Sequence, residues 1–307
     1  MSKLMQSLLA GAFAVVVAAC SQQGPEAEQP AAPASTGPTI GLAVSTQSNP
    51  FFVSLKSGAE AEARALGMTL ITVDAQDDPA RQISSIEDLI QKKVKVILVN
   101  PTDSAAVASA VKEANAAGIP VITLDRSVDG GTVASHVASD NVAGGKMAGE
   151  YVLEKIGGNG AVVELEGIPG ASAARERGQG FHSVIDAAGG VKVVARQPAD
   201  FDRAKGLSVM ENILQGHKDV KAVFAHNDEM ALGAVQALEA AGLKDVVVVG
   251  FDATDDAVKA VKAGKMSATV AQKPELIGKT AVQTAKQIID GQAVDKAIPV
   301  PLELIKQ

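Results

Sequence analysis

Val96-Ile97-Leu98-Val99-Asn100 is an apolar run closed by an amide, and 25 residues after Asn100 the run Val121-Ile122-Thr123-Leu124 closes on Asp125. The same figure returns in the second half of the chain. Val223-Phe224-Ala225-His226-Asn227 leads, again over 25 residues, to Val246-Val247-Val248-Val249-Gly250-Phe251-Asp252. Each interval holds an acidic residue (Asp103, Glu229), an alanine-rich segment of helix length and an Ala-Gly stop at 117–118 or 241–242. Short continuous apolar runs are strands buried on both faces, and a helix between two of them makes them parallel. A strand–helix–strand unit present twice predicts two related α/β lobes. The simpler alternative is that all such units look alike.

Working outward from these units, further strands are expected at 39–45, 68–74, 94–100, 121–124 and 133–138, then at 161–165, 191–197, 222–225, 246–250 and 267–271. Between them Leu55, Ala59, Ala63 and Leu66 share one helical face, as do Val107, Val111 and Ala114. These are too many strands for one compact sheet. The expected fold is α/β, with two doubly wound parallel-sheet lobes.

The chain has 307 residues, 47% of them hydrophobic, a net charge of -7 and a single cysteine. That composition supplies a core, opposes nucleic-acid binding, and excludes an intrachain disulfide framework or a multi-cysteine zinc site. At the N-terminus Lys3 precedes an uncharged run at 8–19, shorter than the ~20 residues of a membrane span and suited to a secretory signal. Its end, Val17-Ala18-Ala19-Cys20, looks like a bacterial lipobox, which implies cleavage after residue 19 and lipidation of Cys20. Residues 21–38, rich in Gln, Glu, Ala and Pro, read as a flexible linker.

Just past the strand runs stand Asn49, Asn100, Asp125, Asn227, Asp252 and Gln272. Ligands of open parallel sheets bind beyond the carboxyl ends of the strands. Singly, each residue is as well explained by a turn or a helix cap, above all Asn100 and Asn227. Together, six acids and amides from both halves suggest a shared polar cleft able to pair with vicinal hydroxyls. Phe51 and Phe52 follow Asn49-Pro50, and Phe201 sits between two aspartates, a poor core position. Their rings suit the C–H faces of a sugar, although one of the first two also fits as a helix staple. Arg126 and either Arg175 or Arg177 add cations with forked hydroxyl contacts.

Signs of catalysis are few. Asp125 and Asp252 would pass as a glycosidase pair, but hydroxyl binding explains them as well. His136, His182, His217 and His226 lack metal spacing, and Gly144-Gly145-Lys146 lacks the rest of a phosphate loop.

Segments 48–56, 100–104, 119–126, 172–178, 198–203, 227–234 and 249–252 resemble the pentose and hexose branch of the periplasmic substrate-binding proteins serving ABC transporters, its ribose-binding members above all. The resemblance runs from Ile40 to Gln307. It implies sugar hydroxyls on Asn49, Asp125, Arg126, Arg177, Asn227, Asp252 and Gln272, the sugar ring between Phe51 with Phe52 and Phe201, and a supporting shell of Asn100, Ser139 and Phe251. It implies three crossovers between lobes, near Asp140, Gln272 and Pro301. The domains would then be a signal at 1–19, lipidated Cys20 with linker at 20–38, one lobe from 39–139 plus 273–300, and another from 140–272 plus 301–307. The implied protein is a monomer without enzymatic activity, cofactor or metal. It would capture D-ribose and present it to a permease and, in some members, a chemoreceptor. Another furanose or an allose-like sugar is the alternative, and a sugar-responsive repressor would need a DNA-binding segment where the secretion signal stands. The absence of tryptophan and of a calcium loop favours a pentose over glucose or galactose. His226, Lys273 and the lipobox depart from the family pattern, the first two beside the expected cleft.

Overall fold

A computed structural model describes residues 37–307 of the chain. The expected signal, Cys20 and residues 20–36 of the linker lie outside the described residues. The first half runs β1 (Thr39–Val44), α1 (Pro50–Ala65), β2 (Thr69–Asp74), α2 (Pro79–Gln91), β3 (Ile97–Val99), α3 (Ala108–Ala116), β4 (Val121–Leu124) and β5 (Ser135–Ser139). The second runs α4 (Asn141–Ile156), β6 (Gly160–Glu166), α5 (Ser172–Ile185), β7 (Val191–Pro198), α6 (Arg203–Gly216), β8 (Val220–Ala225), α7 (Asp228–Ala240), β9 (Val247–Asp252), α8 (Asp255–Lys262) and β10 (Ala268–Ala271). The chain ends with α9 (Pro274–Ile289), β11 (Ala297–Val300) and β12 (Glu303–Lys306).

Among the described residues the strands form two six-stranded sheets, ordered β2-β1-β3-β4-β5-β11 and β7-β6-β8-β9-β10-β12. The orders correspond strand for strand, so the repeat read in the sequence is a repeat of topology. Alternate strand residues face opposite layers. In the first sheet Ile40, Leu42, Leu98 and Leu124 pack with α1 and α9, whereas Ala43, Ile97, Val99 and Val121 face the core beneath α2 and α3. In the second, Leu165, Val223 and Val248 face α6 and α7, and Phe224, Val249 and Phe251 face α4 and α5.

The expectation of wholly parallel sheets needs one correction. β11 pairs with β5 in parallel, but β12 pairs with β10 antiparallel. Only Pro301 and Leu302 separate β11 from β12, which leaves no room for a helical crossover. The chain leaves the first sheet at its carboxyl edge and enters the second at that sheet's carboxyl edge, so β12 must run backwards. The passages from β5 to α4 and from β10 to α9 cross at the same edge.

Among the described residues three helix pairs touch backbone to backbone. A Cβ on Gly278 would strike the Leu55 carbonyl between α1 and α9, and one on Gly145 the Arg177 carbonyl between α4 and α5. Between α6 and α7 the equivalent position is Gly233, against the Arg203 carbonyl.

Candidate functional site

Each helix that follows a cleft-side strand starts where its cap residue sits. The Phe51 N–H donates to Asn49 Oδ1 (2.9 Å) and the Met230 N–H to Asn227 Oδ1 (3.0 Å), so these amides cap α1 and α7 while facing the cleft. Asn227 Nδ2 also donates to the Phe201 carbonyl at 3.1 Å, which ties β8 to the loop after β7. Asn100 does not cap a helix. Its Oδ1 accepts from the Ser45 hydroxyl (2.7 Å), and its Nδ2 donates to the Leu124 carbonyl (3.1 Å) and Asp125 Oδ2 (3.3 Å). It is a fully buried strut beneath Asp125.

A narrow cavity between the two carboxyl edges is lined by Asn49, Phe51, Phe52, Asp125, Arg126, Arg177, Phe201, Asn227 and Asp252, together with Ala173. Sequence reasoning named all but Ala173, which comes from the start of α5 and carries no polar signal. Asp125, Phe201 and Asp252 hold positive φ angles of 60°, 61° and 115°, a region where side-chain-bearing residues are strained. Phe201 is not the exposed ring that its aspartate neighbours suggest. It is buried among Val163, Leu165 and Met230, with one face left to the cavity. Phe51 and Phe52 meet edge to face at 5.1 Å and both reach the cavity.

The charges balance, with two carboxylates and two guanidinium groups. Arg126 lies 5.0 Å from the ring centres of both Phe52 and Phe201, bridging the aromatics of the two lobes. Burial draws its pKa below the usual guanidinium value, against the pull of Asp125 and Asp77. Arg177 is buried while Arg175 is exposed. Arg177 stacks 3.8 Å from the Phe251 ring centre, and donates to Asn141 Oδ1 (2.9 Å) and the His226 carbonyl (2.6 Å). Asn141, at the start of α4, was not anticipated. Asp252 is 3.8 Å from Arg177 and accepts from Gln272 Nε2 at 2.8 Å. Burial raises its pKa to about 7, opposed by Arg177 and Gln272 and reinforced by Asp125. The Asp125 Oδ1, Arg126 Nε and Gln272 Oε1 atoms are buried without a hydrogen-bond partner in the protein. Such atoms are costly unless a bound polar molecule meets them.

Gln272 stands behind Asp252 and lines the adjoining cavity beside Pro274. Ser139 is buried with an unpartnered hydroxyl, and neither it nor Phe251 reaches the central cavity. Lys273, expected beside the cleft, is exposed at the start of α9. His226 lies beneath the cleft. The Gly167 N–H donates to its Nδ1 (3.3 Å), so Nε2 carries the proton and donates to Glu164 Oε1 (2.9 Å). Glu164 is fully buried in β6, and its other oxygen meets His182 Nε2 at 2.7 Å. Among the described residues no cluster of three or more His, Cys, Asp or Glu could hold a metal ion.

Comparison with known proteins agrees with this geometry. The sequence profile described as "Periplasmic binding protein domain" matches residues 40–293. The chain is 55% identical over 296 residues to the ribose import binding protein RbsB of Bacillus subtilis, covering 95% of each chain. It is 56% identical over 267 residues to the Escherichia coli RbsB, covering 87% of this chain and 90% of that one. A solved ABC transporter periplasmic solute binding protein from Actinobacillus succinogenes with bound D-allose superposes with a TM-score of 0.83 at 35% identity, covering 88% of this chain and 98% of that one. A doubled topology, a polar site where the two carboxyl edges meet, and a sequence profile spanning both sheets all lead to one assignment: the chain belongs to the periplasmic binding protein family.

Proposed function

We propose that this chain is the extracytoplasmic component of an ABC importer, which captures D-ribose between its lobes and delivers it to a permease. The observation that carries the reading is the charge-balanced set Asp125, Asp252, Arg126 and Arg177 at the junction of the lobes, flanked by Asn49 and Asn227 and by three phenylalanine rings. A neutral polyol matches that set. Carboxylates accept from its hydroxyls, guanidinium groups donate to its oxygens, and the rings cover its C–H faces. The pentose is favoured over allose because the named ribose-binding relatives are about 55% identical and the D-allose-bound structure is 35% identical. Residues of both lobes wall the cavity, so a sugar enters and leaves by parting the lobes. Binding thus shifts the population toward the closed form, whose joined surface a permease, and in some systems a chemoreceptor, recognises. The lobes are assigned as 39–139 plus 273–300 and 140–272 plus 301–307. The protein acts as a monomer held to a membrane through lipidated Cys20.

Titration calorimetry of residues 37–307 with D-ribose, arabinose, xylose, allose and glucose tests the reading. One-to-one ribose binding, tighter than that of any hexose, is expected. Absence of heat with ribose, in a folded and sugar-free sample, refutes it.

A further inference from the structure

To one side of the cavity the lobes meet along a strip that includes no cavity-lining residue. The Ser104 N–H of the first lobe donates to the Gly170 carbonyl of the second at 2.9 Å, and the Ser127 N–H donates to Ser172 Oγ, also at 2.9 Å. The first-lobe partners are braced against each other. Ser104 Oγ donates to the Ser127 carbonyl (2.8 Å), and the Asp129 N–H donates to the Ser104 carbonyl (2.8 Å). On the opposite side Arg175 Nη1 donates to the Gly170 carbonyl at 2.9 Å, and its Nη2 lies 3.6 Å from Asp129. Ser104 and Ser172 are buried and Ser127 and Gly170 half-buried, so these bonds are partly screened from water, whereas the Arg175–Asp129 pair is exposed and contributes little.

Gly170 makes the strip a steric gauge as well. A Cβ there would run into the Asp103 carboxylate. Asp103 cannot simply swing aside, because its Oδ1 accepts from the Ala105 and Ala106 N–H groups at 2.9 and 2.8 Å. Gly170 and Asp103 lie on different lobes, so the clash arises only when the lobes close.

We propose that this seam, made of Ser104, Ser127, Gly170 and Ser172, is an affinity-setting element that acts on lobe closure without touching the sugar. Each closed-only contact stabilises the closed form by the same amount whatever sugar it holds. The seam therefore scales affinity for all ligands by one factor and leaves their ranking to the cavity. The inference rests on the sugar-binding reading for its calorimetric arm only.

The test uses Ser172→Ala and Gly170→Ala in the full mature chain. Calorimetry with D-ribose and D-allose is expected to show affinity reduced about three- to tenfold by Ser172→Ala and about tenfold or more by Gly170→Ala, with the ribose-to-allose ratio kept. The melting temperature of the sugar-free protein should stay at the wild-type value, since the contacts join lobes rather than build them. Pairs of spin labels, one on each lobe, should show a closed population in the sugar-free wild type that both variants diminish. Wild-type affinity in both variants, a changed sugar ratio, or label distances unaltered by either substitution would overturn the proposal. Failure of the wild-type protein to bind any tested sugar would count against the ribose reading, and the label distances would still decide the seam.

Discussion

Glu164 holds two imidazoles, and acid acts on them in opposite directions. Burial keeps His226 neutral and its pKa low, while the same residue in an unfolded chain takes up a proton below about 6.5. Its contribution to stability is complete above that pH and is lost as pH falls. His182 is partly exposed. Burial lowers its pKa, but the Asp186 hydrogen bond and the Glu164 charge outweigh it and the pKa rises. Its contribution is complete below about 6.5 and is lost as pH climbs through the raised value. Urea midpoints between pH 5 and 7 should therefore fall less steeply on acidification in His226→Gln than in the wild type, and more steeply in His182→Gln. Slopes that shift in the same direction would contradict this account. In the cleft, Asp252→Ala removes two acceptors and should weaken ribose binding by about 2–3 kcal/mol, roughly 30- to 150-fold in calorimetry. The cleft residues were legible because a parallel strand delivers whatever follows it to the ligand edge. Glu164 was equally visible as an acid inside the apolar run 161–165, yet nothing in the run says which partners neutralise it. Asn100 read as a cap since its cross-strand partners, Ser45 and Asp125, lie 55 and 25 residues away in sequence.

Glycines set how closely the paired helices approach, and their loss separates stability from binding. Gly278→Ala wedges α1 from α9 and should cost about 1–3 kcal/mol of stability with little change in sugar affinity. Gly145→Ala presses on the Arg177 backbone in α5 and should lower both the denaturation midpoint and the affinity. Equal affinities in the two variants would dissociate Arg177 placement from this packing. Ten strands were expected from apolar runs, and each has a counterpart within a few residues of the range read. β11 and β12 were not expected. Both are four residues long and largely exposed, and Pro299 lies within the first. They exist through pairing with β5 and β10 rather than through local preference, which no short window of sequence reveals.

For the molecule as a whole, a ligand held between lobes stabilises both at once. Ribose at roughly a hundred times its dissociation constant should add about 2.7 kcal/mol of stability and raise the melting temperature by several degrees, with a smaller radius of gyration in scattering. An unchanged radius with a raised melting temperature would mean binding without closure. The doubled architecture was readable from the 25-residue repeat, but an expectation of how the lobes share the chain came only from the family resemblance, because that sharing depends on where α9 and the last two strands return. That return has a consequence for synthesis. The first sheet takes its edge strand from residues 297–300, and α1 lacks its helix partner α9 until residues 274–289 exist. A ribosome must nearly finish the polypeptide before its opening segment can settle. Such delayed maturation would leave a nascent chain threadable through a translocation pore, which suits a protein proposed to act outside the cytoplasm.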